Sequence, residues 1–251
     1  FGDIKMKSKI VCHWNGRAVD YDKNVRNVIY SHREQAAWQK IFSEALGKGC
    51  HDILDVGTGP GIVANLLAGL GHNVIGIDSS ENMLKRAAEN SAALYHSLEF
   101  VQGDAENLPF EDNSFDAVVN RYVLWSLPDP KRAISEWRRV LRRGGRLAIV
   151  DGTWYDRRDK PLGKRLWQNL SVSLILLTEH RVPHYQKLNE DLRDNLWSSN
   201  VKRPDADVEL LTSTGFKEVG VVEGLNRTLF KNLDYLKNGH AGERFLVTGL
   251  K

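Results

Sequence analysis

In the stretch ILDVGTGPG, residues 53–61, an acid, Asp55, stands within an apolar run, and three glycines, Gly57, Gly59 and Gly61, follow at alternate positions. Glycine lets a backbone meet a ligand closely, and the first N–H groups of a helix starting there have no partner inside the helix. The spacing therefore describes a cradle for a bound molecule. A phosphate loop would need Lys and then Ser or Thr after its glycines, and none follows Gly61; a dinucleotide loop would need glycines at 57, 59 and 62, where residue 62 is Ile. Asp55 would also sit badly beside a diphosphate, whereas a carboxylate there suits a ligand carrying positive charge. A second cluster, EHRVPHY at residues 179–185, sets His180 and His184 four apart, a metal-ligand spacing. Pro183 between them breaks the helix that would present both on one face, and no third ligand follows, so no metal is expected.

The pattern of apolar residues supplies a scaffold for these groups. HDILDVG (51–57) reads as a buried strand, GIVANLLAGLG (61–71) as a helix ending at glycine, and NVIGID (73–78) as a second strand, together a βαβ unit. Next come a helix, SENMLKRAAENSAALY, with Ser80 as its N-cap, and the strands LEFVQGD and SFDAVVN. A helix PKRAISEWRRVLRR closed by Gly144 and Gly145 leads to a strand RLAIVDG. Strands alternating with helices predict a parallel sheet covered on both faces, with ligands at the carboxyl ends of the strands. Outside the core at 49–151, residues 1–48 form an N-terminal helical cap containing VRNVIYSHREQAAWQKIFSEALG, and residues 152–214 a helical insert folded over the same edge as a lid. Residues 215–251 add two closing strands, FKEVGVVEG and ERFLVTGLK, and one domain over 1–251 is expected.

Composition narrows the class. At 41% hydrophobic and 27% charged residues the chain is that of an ordinary globular protein, and its densest apolar stretch, SVSLILL, is far too short to span a bilayer, so no membrane partner is expected. The opening FGDIKMKSKIV lacks the apolar core of a secretory signal, and Cys12 and Cys50 form no CxxC pair, which together predict a cytoplasmic protein. Net charge is only +3, but from Lys131 to Arg165 there are twelve Lys or Arg against four acids. A solvated helix face explains this better than a nucleic-acid surface, since no aromatic platforms are interleaved with it.

Five motifs in order, ILDVGTGPG, VIGIDSSENML, VQGDAENLPFEDNSFDAVV, VLWSLPDP and VLRRGGRLAIVDG, resemble the class I S-adenosylmethionine-dependent methyltransferases, and among them small-molecule members of the type 11 kind. The resemblance implies a Rossmann-like, seven-stranded α/β sheet whose last strand runs antiparallel. It also implies S-adenosylmethionine as cofactor and S-adenosylhomocysteine as product. Gly57, Thr58, Gly59 and Gly61 are then implied to lie against the methionine and ribose, and Asp55 to meet the methionyl ammonium. Asp78 would accept the ribose hydroxyls, flanked by Ser79 and Met83, and Asp104, Ala105 and Glu106 would receive the adenine. Asn120 and Arg121 would lie beneath the sulfonium end, and Tyr21 would close over the methionine.

Trp125 stands where many relatives carry His, which removes a general base and offers an indole face to a cation. Methyl transfer from an activated sulfonium needs chiefly alignment and exclusion of water, so a base is required only for a protonated acceptor. Tyr21, Asp151, His180, His184 and Tyr185 are the candidates for that task. Trp125, Trp154, Tyr155, His184 and Tyr185 are the expected substrate pocket. The function expected is methyl transfer to a small molecule. RNA or peptide modification and a non-catalytic S-adenosylmethionine-binding module are the alternatives, and the oligomeric state is left open.

Overall fold

The computed structural model describes residues 2–29, 32–49, 51–92, 98–153, 162–180, 190–230, 232–239 and 242–251, and in it the apolar runs form a seven-stranded sheet of order β3-β2-β1-β4-β5-β7-β6. The strands are β1 (Asp52–Val56), β2 (Asn73–Asp78), β3 (Leu98–Gln102), β4 (Phe115–Arg121), β5 (Leu141–Gly152), β6 (Lys217–Val222) and β7 (Arg244–Leu250). The first five run parallel, and β7 is antiparallel to both neighbours, β5 and β6, as the resemblance implied. Order reverses between β1 and β4, and the crevice at their carboxyl ends is where an open α/β sheet binds ligands.

Near-continuous apolar runs suit strands covered on both faces. Ile53, Ala117, Val119, Ala148 and Val150 pack with α2 (His32–Leu46) and α3 (Ile62–Ala68). Their strand neighbours Leu54, Val118, Leu147 and Ile149 face the other way, toward α5 (Pro130–Val140), whose Trp137 is fully buried. Helix α4 (Glu81–Ser91) is capped at Ser80, whose hydroxyl accepts the Met83 N–H at 3.2 Å, as expected for a serine before a helix.

Four features differ from the sequence reading. The expected helix through residue 143 stops at Val140, because Leu141 pairs with Phe115, and Gly144 and Gly145 serve the irregular start of β5. A side-chain carbon on Gly145 would lie 2.8 Å from the Arg142 carbonyl and 3.0 Å from that of Asp116. The N-terminal stretch is two helices, α1 (Gly2–Ile29) and α2, with α1 much longer than its apolar pattern suggested. Beyond β5 lie α6 (Leu162–Glu179), α7 (Glu190–Asn195) and α8 (Asp205–Ser213). Leu211 of α8 packs with Phe216 and Phe245 in the core, so this helix supports the sheet and is no part of a cover. Between β6 and β7, where only strands were read, stand α9 (Leu225–Leu229) and α10 (Asn232–Asn238), and α6 rests on α10 through a Trp167 Nε1 bond to the Leu236 carbonyl at 2.8 Å. Among the described residues no helix is long and apolar enough to cross a membrane.

Candidate active site

The loop after β1 holds all three of its glycines in the left-handed region, with φ of 65° at Gly57, 55° at Gly59 and 80° at Gly61. A side chain on Gly57 would strike Val123, and one on Gly61 would strike Ala87 and Phe100, whereas one on Gly59 would meet no protein atom within 4 Å. Gly59 thus presents bare backbone to open space. The loop is anchored from both sides: the Thr58 hydroxyl donates to Asp55 Oδ2 at 2.7 Å, Ala64 N–H donates to the same oxygen at 3.1 Å, and Gly59 N–H donates to Asp78 Oδ2 at 2.9 Å. Burial pushes Asp55 up to about 7 despite these donors. Asp78, whose Oδ1 accepts the Ser80 N–H at 2.8 Å, is also raised by burial.

Around this loop opens a cleft of about 210 Å³. Tyr21, Gly57, Gly59, Asp78, Ser79, Met83, Asp104, Ala105, Glu106 and Arg121 line it, and Asp55 and Thr58 line a smaller recess that opens beside Tyr21 and Gly59. Gly61 lies behind the loop. Asn120 is completely buried at the end of β4, and neither its amide oxygen nor its nitrogen has a hydrogen-bond partner among the described residues.

Of one wall of the cleft, only Tyr21 was foreseen. Lys7, Ile10, Val11, Trp14 and Tyr21 share a face of α1 and cover the opening. The Lys7 ammonium bridges Asp104 Oδ2 at 2.8 Å and Glu106 Oε2 at 2.5 Å, and Asn15 Oδ1 accepts from the Ser80 hydroxyl at 2.7 Å. The helical spacing of these residues was the available signal, diluted by the polar residues between them. Tyr122 and Val123 also line the cleft, and Tyr122 holds a φ of 64°, a strained value for a side-chain-bearing residue.

Other expected residues go elsewhere. Trp125 packs in a satellite core with Ile10, Leu192 and Leu196, and its indole N–H is spent on the Tyr122 carbonyl at 2.9 Å, so it serves as wall and not as cleft lining. Asp151 is fully buried; its Oδ2 accepts from Trp125 N–H and from Arg203 Nη2, each at 2.9 Å, and Arg203 also pairs with Asp207. A carboxylate so committed is no proton acceptor for substrate. His180 is exposed beyond the end of α6. Trp154, Tyr155, His184 and Tyr185 lie outside the described residues.

The implied cofactor fits what is present: bare backbone at Gly59, carboxylates at Asp55 and Asp78 for cationic and hydroxyl groups, and an apolar cover. Comparison with known proteins agrees. The family described as "Methyltransferase domain" matches residues 54–149. Demethylmenaquinone methyltransferase of Clavibacter sepedonicus is 31% identical over 178 residues, covering 69% of this chain and 70% of that protein. Its namesake in Paenarthrobacter aurescens is 28% identical over 218 residues, covering 86% and 81%. In fold, the chain resembles a methyltransferase from Thermotoga maritima, described as a possible histamine N-methyltransferase, with TM-score 0.60, 20% identity, and 95% and 99% of the two chains covered. With its motifs, its sheet order and these relatives in agreement, the chain belongs to the class I S-adenosylmethionine-dependent methyltransferases and uses S-adenosylmethionine as its cofactor.

Proposed function

We propose that the methyl acceptor is a small, largely apolar molecule with a conjugated ring, of the reduced-quinone class. The observation that carries this reading is the likeness to enzymes named for demethylmenaquinone, and the apolar side of the cleft, Ile10, Val11, Trp14, Val123 and Leu127, supports it. The cofactor supplies an activated methyl on a sulfonium, so the protein's work is positioning. In this reading Asp78 takes the ribose hydroxyls, the Gly57–Gly59 backbone meets the methionine and ribose, and Asp104 with Ala105 takes the adenine edge. Trp14 and Tyr21 keep water from the reacting centre.

We propose one unit with the N-terminal helices as cover, and the cytoplasm as its compartment. The nucleic-acid alternative loses support, because Arg139 and Arg142 are engaged by carboxylates: Arg139 by Glu136 and Asp112, and Arg142 by Asp52 and Asp116 beside the amino ends of β1 and β4, away from the cleft.

The test is transfer of labelled methyl from S-adenosylmethionine to a panel of reduced naphthoquinones, aromatic amines, bulk tRNA and mixed peptides. Label on the quinol, insensitive to salt, is the expected result. Label on tRNA with a steep fall in rate between low and physiological salt would overturn the small-molecule reading.

A further inference from the structure

We propose that Tyr122 recognises the methyl acceptor, its hydroxyl donating to a ring oxygen beside the methylated position, with Arg244 as the positioning residue that aims it; this deepens the reduced-quinone reading above and rests on it. The groups read as taking the nucleoside, Asp78, Asp104 and Ala105, lie at and after the ends of β2 and β3. Tyr122 stands on the opposite side of the cleft. It follows β4, and its hydroxyl reaches across the end of β5 to Arg244 at the start of β7, whose Nε donates to it at 2.7 Å. Its N–H donates to the Val150 carbonyl at 2.8 Å, and its carbonyl accepts the Trp125 indole N–H at 2.9 Å, so the φ of 64° is imposed from three directions. Strain of this kind persists only where the surroundings over-determine it, and it concentrates at ligand sites.

Arg244 is fixed in its turn. Asn226, fully buried, accepts from Arg244 Nη1 at 2.9 Å, the Asn226 amide donates to the Gly242 carbonyl at 2.8 Å, and the Phe230 ring centre lies 4.8 Å from the guanidinium. Packing alone would need only the ring of Tyr122, whereas here an arginine and a buried asparagine align its hydroxyl. The chemistry follows from that bond. A guanidinium only donates, so the phenol oxygen is the acceptor toward Arg244 and the hydroxyl proton is directed elsewhere. A phenol that accepts from a cation is polarised into a stronger donor. The Arg121 and Arg244 guanidiniums, 4.6 Å and 5.9 Å from the Tyr122 ring centre, add positive charge beside it. An aromatic ring bearing electron-rich hydroxyl oxygens suits this end of the cleft, and a protonated amine is repelled from it.

The experiment measures binding of naphthalene-1,4-diol and of naphthalene to the S-adenosylhomocysteine-loaded enzyme by equilibrium dialysis under nitrogen, for the wild-type chain, Tyr122→Phe, Arg244→Met and Arg244→Lys, with S-adenosylhomocysteine affinity followed by calorimetry. Wild type should hold the diol more tightly than naphthalene. Tyr122→Phe should lose about 10-fold for the diol, the worth of one hydrogen bond in a desolvated site, and almost nothing for naphthalene or S-adenosylhomocysteine. Arg244→Met should lose part of the same affinity, Arg244→Lys should recover it, and Arg244→Met should add nothing once Tyr122→Phe is in place. Equal losses for diol and naphthalene would make Tyr122 a packing residue, and an unchanged diol affinity would make it a bystander; either overturns the proposal. Equal wild-type affinity for the two ligands would also overturn it, while leaving an apolar acceptor in place. If the wild type bound neither, the reduced-quinone reading itself would fall, and this proposal with it.

Discussion

Asp55 illustrates how one residue is held far from its ordinary chemistry. Burial lifts its carboxyl to about 7, whereas in the unfolded chain it returns to about 3.9. An acid whose folded pKa is raised binds more protons in the native state, so its contribution is full below the unfolded value and is lost as pH rises toward the folded one. Asp55→Asn keeps an oxygen for Thr58 and Ala64 and removes the titration. The variant should therefore gain on wild type as pH rises from about 4 to about 7 and then level off. Urea titrations of the cofactor-free protein at pH 5, 6 and 8 measure the gap, and a pH-independent gap would refute the assignment. The same residue shows what a sequence displays: an acid and three glycines at a strand-to-helix junction have local meaning, so the loop could be read. Lys7 could not, because its partners, Asp104 and Glu106, lie far along the chain.

Among the elements, α1 departs furthest from expectation. Its helicity was partly legible, but its cleft-facing side mixes a lysine, aliphatics and aromatics, and only the finished cleft shows what they share. The bridge from Lys7 to Asp104 and Glu106 joins this helix to the loop after β3, with Lys7 28% exposed. Lys7→Met should cost about 1 kcal/mol of α1 docking, a modest sum for a partly exposed pair. Trypsin should then cut at Arg17 or Lys23 severalfold faster, with the main thermal transition nearly unchanged and with protection restored by S-adenosylhomocysteine. Cleavage at the wild-type rate would mean that the ion pair does not hold α1. The end of α5 taught a similar lesson: good helix formers run to Arg143, yet pairing of Leu141 with Phe115 outweighs local preference. The Asp151–Arg203–Asp207 ion group, drawn from the end of the expected core and the far end of the expected lid, had no local signature at all.

At the scale of the molecule, the basic stretch is divided by the fold. Arg139 donates to Glu136 and Asp112 and to the carbonyls of Leu108 and Phe110, and so pins the segment before β4 to α5. Arg139→Gln should lower stability by on the order of 1–2 kcal/mol through these lost bonds. Cofactor affinity and the salt dependence of activity should not change. A collapse of activity with intact stability would return the arginines to a role in substrate binding. The sheet order carries a consequence for the protein's birth. Residues 217–222 are translated before residues 244–250, yet among the described residues β7 is the only strand they pair with, and β7 itself sits between them and β5. A ribosome stalled before residue 244 therefore carries a parallel sheet whose β5 edge is bare, the kind of edge that recruits strands from other chains. Until β7 leaves the exit tunnel and slots in, that edge stays open to such pairing.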